Sequence, residues 1–105
     1  MNRWNIPAYL EIEISGRDAR CIYCQVDFST STGGRGVTPS WEHIINDASI
    51  ITRENIARCC VSCNASKGVK SLGVWIDSAY CKRKGITSET ISQVAKNALL
   101  KERLS

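Results

Sequence analysis

The apolar positions of this chain fall into short runs of differing period. Over residues 5–19, Leu10, Ile12 and Ile14 alternate with Glu11 and Glu13 as a strand would, yet Pro7 stands behind Asn5 as at a helix start; we read a helix here. The stretch "VTPSWEHII" is strand-like, and because Pro39 has no N–H for a ladder, pairing is expected to begin after it, with His43 within or at the end of the strand. "NDASIITREN" is rich in turn formers, and "NIARCC", from Asn55, is a second strand that antiparallel pairing would bring beside His43. After Cys63 a short helix is expected to stop near Gly68. A second opens near Ser71, with Leu72, Trp75, Ile76 and Ala79 on one face, and ends at Gly85. The last segment, "TSETISQVAKNALLKERLS", spaces Ile91, Val94, Ala95, Ala98 and Leu99 as a helix face, with Glu89 in its first turn and Lys101 and Arg103 in its last. Between these parts, "STSTGGRG" at 29–36 reads as a mobile loop.

Composition narrows the class. The 105 residues, 43% hydrophobic and 23% charged, suit one α+β domain spanning 1–105, with no internal repeat or linker. No apolar run approaches the roughly 18 residues of a membrane span, and the N-terminal "MNRWNIPAYLEIEIS" lacks a signal-peptide core, so a cytoplasmic protein without a membrane partner is expected. The net charge of +4 favours an anionic partner.

A core of this size is thin, which draws attention to the six cysteines. Cys21 and Cys24 form one CxxC and Cys60 and Cys63 another. Two intervening residues let the backbone turn both sulfurs to one point, and two such knuckles supply the four thiolates of a tetrahedral Zn2+ site. Such a closed site holds a fold together and leaves no open position for chemistry. Cys59 is then a small buried strand residue and Cys81 a buried helix residue; a redox dithiol is the alternative.

Glu42-His43, Asn55 and Asn64 follow in order around the second knuckle, in "EHI", "ENIARCCVSC" and "CNASKG". Over residues 18–70 this order resembles the HNH endonucleases. The resemblance implies a small ββα-metal core with the four-cysteine zinc site, flanked by the N-terminal helix and by a helical extension over 71–105. It also implies that His43 is a general base, that Glu42 and Asn64 ligate a catalytic divalent metal, Mg2+ or Mn2+, and that Asn55 braces the loop between the strands. The chemistry agrees: attack on a phosphodiester needs a group that takes the proton of water and a hard cation that neutralises the developing charge. A lone neutral imidazole near pH 7 suits the first, and glutamate and asparagine oxygens suit the second.

Many members of that family carry aspartate where Glu42 stands, and Asp47 is near enough in sequence to complete the metal site instead. Asn55 and Asn64 are also residue types that cap turns and helices. Lys67, Lys70, Arg53 and Arg58 flank these positions and could bind phosphates on either side of a cut. The partner so implied is DNA, with RNA or branched DNA open. A monomer would nick, whereas a homodimer could cut both strands. The competing reading is a zinc-stapled nucleic-acid-binding module without catalysis.

Overall fold

The computed structural model describes residues 4–29 and 34–104, so residues 30–33 of the loop expected at 29–36 lie outside the described residues. Helix α1 spans Ala8–Arg17, a 3-10 turn spans Arg35–Val37, and strands β1 (Pro39–His43) and β2 (Ile56–Cys60) form a hairpin. Helices α2 (Val61–Lys67), α3 (Leu72–Trp75), α4 (Ala79–Lys84) and α5 (Gln93–Leu104) follow. The protein is thus a small α+β fold around a two-stranded antiparallel sheet. No helix among the described residues is long and apolar enough to cross a membrane.

The hairpin register sets Pro39 opposite Cys60, Glu42 opposite Ala57 and His43 opposite Ile56. Pro39 is itself the first residue of the ladder, a position that a residue without an N–H can take, and the adjoining bond runs from the Val61 N–H to the Thr38 carbonyl at 2.9 Å. Successive side chains of a strand point to opposite faces, and each face of this sheet is covered differently. On one side, Ile56 packs with Ile6, Leu10 and Ile14 of the N-terminal helical segment, joined by Trp4, Trp41 and Ile51. On the other, Ala57 and Cys59 join Tyr23, Ile44, Leu72, Trp75, Ala95 and Leu99 in the larger core.

Helix α1 is tied to β2 by Asp18. Its carboxylate takes two hydrogen bonds from the Arg17 guanidinium, at 2.7 and 2.8 Å, and one from the Arg58 backbone N–H at 3.0 Å. Three helix boundaries differ from the sequence expectation. Helix α2 opens at Val61, ahead of Cys63, because the Cys60 sulfur accepts the Cys63 N–H and serves as the N-cap. The span 71–84 holds two helices, since the Ser78 hydroxyl caps a new start by accepting the Cys81 N–H. Helix α5 begins at Gln93, not around Glu89: the Ser92 N–H bonds the Ile22 carbonyl at 2.8 Å, and Thr87 and Thr90 form a hydrogen-bonded turn ahead of it.

Candidate functional site

The first knuckle closes through backbone N–H groups of Tyr23 and Cys24, each 3.4 Å from the Cys21 sulfur, and through a left-handed Gln25 at φ 67°. The second is the junction of β2 and α2, where the Cys63 N–H lies 3.4 Å from the Cys60 sulfur. The Tyr80 hydroxyl donates to the Cys63 sulfur at 3.3 Å. All four sulfurs lie within 4.8 Å of one another, and those of Cys24 and Cys60 are 3.7 Å apart. A tetrahedral ion with metal–sulfur bonds of about 2.3 Å holds its sulfurs about 3.8 Å apart, so the cluster fits a structural ion such as zinc. Surrounding N–H and O–H donors suit thiolates, as the outer partners of a metal site do.

Hydrogen bonding with Cys21 holds the Cys24 and Cys60 thiols below their ordinary range and pushes Cys63 above it, while bonding with Cys24 pushes Cys21 up. Four adjacent thiols cannot all ionise alone; a central cation is what permits it. Cys59 is buried outside the cluster, with its sulfur 3.9 Å from the Ser40 hydroxyl, and Cys81 is buried in α4.

The hairpin residues are placed by the alternation of β1. Ser40 and Glu42 face the larger core with α2, whereas Trp41 and His43 face α1. Glu42 is 4% exposed; the Tyr23 hydroxyl donates to its Oε2 at 2.7 Å and the Lys67 ammonium lies 3.3 Å from the same oxygen. Burial pushes the Glu42 carboxyl above the usual carboxylate range even with Lys67 beside it. His43 leaves the strand on the other side, its ring edge-on to the Trp4 indole at 5.1 Å. Its Nε2 is buried with no hydrogen-bond partner among the described residues, and burial lowers its pKa below the ordinary 6.5, so the imidazole is neutral at pH 7.

Asn55 is buried and holds the loop between the strands. Its Oδ1 accepts the Ile45 N–H at 2.7 Å, and its Nδ2 donates to the Ile45 and Ile50 carbonyls, both at 3.2 Å. Asn64, in the middle of α2 and not at its start, donates through Nδ2 to the Ser40 hydroxyl at 3.0 Å and to the Trp41 carbonyl at 3.1 Å.

No known protein family, curated protein or solved structure matches the chain.

The four basic residues singled out from the sequence occupy different settings. Lys67 is 1% exposed, and its ammonium faces inward to Glu42 and to the Ile44 carbonyl, 2.9 Å away. Arg53 is exposed and paired with Glu13 at 2.6 Å. Arg58 is half-buried, its guanidinium 5.1 Å from the Trp41 ring centroid and 6.0 Å from that of Phe28. Lys70 is exposed beyond the end of α2. Asp47 is exposed in the loop, where its carboxylate accepts from the Ser49 hydroxyl and N–H. A cavity of about 440 Å³ lies between this loop and α5, lined in part by Ile50, Asn55, Val94 and Ala98.

Two residues of the site carried no signal in the sequence. Tyr23 sits inside the first knuckle, where any residue is allowed, and Trp4 precedes the first helix; both reach the hairpin only through tertiary packing.

Proposed function

We propose that the protein is a metal-dependent nuclease of the HNH type that hydrolyses DNA phosphodiesters, with His43 as general base. The observation that carries this reading is the His43 Nε2, buried, neutral and without a hydrogen-bond partner among the described residues, on a strand whose neighbouring residues are held in place. An unpaired buried ring nitrogen is costly, and such groups persist where they serve chemistry. A neutral imidazole can take the proton of an attacking water.

Glu42 and Asn64 are the residues that would hold magnesium or manganese. Asn64 spends its Nδ2 on β1, which leaves its amide oxygen as the remaining polar atom, and with a carboxylate this is a hard-oxygen donor set. Asn55 holds the loop that leads out of β1, and the four-cysteine cluster anchors the hairpin at its other end. The exposed Lys70, with a net charge of +4, supplies salt-dependent attraction to a phosphate backbone, whereas Arg53 is already paired with Glu13.

A second reading, a nucleic-acid-binding module without catalysis, is favoured by two observations: Glu42 already has an internal cation in Lys67, and Glu42 and Asn64 lie on the face of the hairpin away from His43. Supercoiled plasmid incubated with wild type and His43→Ala, under magnesium, manganese or chelator, separates the two. Metal-dependent nicking lost in His43→Ala supports the nuclease. DNA binding with no nicking under any metal, unchanged by the substitution, supports the module.

A further inference from the structure

Helix α2 grips β1 on the face away from His43. Asn64 holds Ser40 and Trp41, and three residues later, on the same side of the helix, Lys67 holds Glu42 and the Ile44 carbonyl. The Lys67 ammonium thus touches the two residues flanking His43, at 3.3 and 2.9 Å. At 1% exposure it has no surface to offer a polynucleotide.

Burying a lysine costs the freedom of its long side chain and the hydration of its charge, and both must be offset by well-placed partners. A buried ion pair adds little net stability over apolar groups of the same volume. What it supplies is a fixed geometry, because displacing the ammonium would leave the Ile44 carbonyl unsatisfied and the buried Glu42 carboxylate, held otherwise by Tyr23 alone, without its counter-charge. We propose that Lys67 is a positioning residue for the nuclease reaction: by holding Glu42 and Ile44 on either side of His43, its buried ammonium sets where the imidazole stands. The inference rests on the nuclease reading and assigns Lys67 a role distinct from phosphate binding.

The test compares wild type, Lys67→Met and Lys67→Arg in plasmid nicking with magnesium, over a range of DNA and salt concentrations, with zinc content measured for each. Small misplacement of a catalytic group lowers turnover steeply, so Lys67→Met is expected to lose about 10²-fold in kcat, with KM for DNA and its salt dependence unchanged. Lys67→Arg keeps the charge, but its planar fork cannot set one donor atom between Glu42 and Ile44, so its kcat also falls. It carries the test alone if Lys67→Met fails to fold. In both variants the ring resonances of His43 shift. A raised KM with kcat intact, or a Lys67→Arg protein equal to wild type, overturns the inference while leaving the nuclease reading in place. A wild type that cuts no DNA overturns both.

Discussion

The Asn64 side-chain amide donates to the Trp41 carbonyl across 3.1 Å, fastening α2 to β1 one residue before Glu42. The bond joins the two sequence stretches that carry the candidate chemistry, "WEHI" and "CNASKG", and it lies one residue from the last cysteine of the four-cysteine cluster. The staple and the candidate site are therefore one mechanical unit.

Removing the metal should undo that unit. Cys60→Ser is expected to lose bound zinc and cooperative unfolding, because Cys60 supplies both a sulfur of the cluster and the cap of α2. Cys59→Ser should keep its zinc, since the Cys59 sulfur lies toward Ser40. Zinc content by elemental analysis, together with thermal melting followed by circular dichroism, checks both; equal zinc loss in the two variants would contradict the ligand set.

The ring of His43 gives a pH signature. Burial holds its folded-state pKa below 6.5, so the unfolded chain takes up the proton first as pH falls. Its contribution to stability is complete above pH 6.5 and is lost as pH drops through that value toward the folded pKa. Wild type should lose more in Tm over this window than His43→Asn. Nicking by wild type should stay high through pH 6.5 and decline only below it, since the base remains neutral there.

Asn55 is a structural brace whatever the function. Asn55→Ala strands the Ile45 N–H and the Ile45 and Ile50 carbonyls, and a loss of about 1–3 kcal/mol is expected from unsatisfied buried groups. Denaturant unfolding measures it, and Asn55→Asp should recover the acceptor bond to Ile45 but not the two donor bonds.

Trp75 anchors the larger core. It is fully buried, edge-on to Tyr23 at 4.8 Å, and its indole N–H donates to the Ser66 hydroxyl at 2.9 Å. Trp75→Ala should cost about 3–5 kcal/mol, read from the same unfolding curves. Because Tyr23 also holds Glu42, nicking by this variant should fall even where it remains folded.

The hairpin and the cysteine cluster were legible in the sequence because their determinants are local. Alternation marks the strands and CxxC spacing turns paired sulfurs together, although the ladder starts at Pro39 itself and not after it. The boundaries that differed depend on contacts that spacing does not encode. A cysteine sulfur caps α2, and the start of α5 follows from the bond between Ser92 and the Ile22 carbonyl, residues far apart in the chain. Lys67 is the sharpest case: a basic residue after a polar helix turn reads as solvent-facing, and only the approach of Glu42 and Ile44 turns it inward.

Glu42 and His43 stand on opposite sides of the sheet, with a consequence for how the hairpin must pair. Sliding β1 along β2 by a single residue would reverse the parity of the strand, sending the imidazole among the core side chains and the carboxylate to the α1 side. The sulfur cluster holds Cys60 at one end of the ladder and Asn55 holds Ile45 at the other, so neither end is free to slide. A cluster of four sulfurs remote from the histidine thereby decides which way the histidine points.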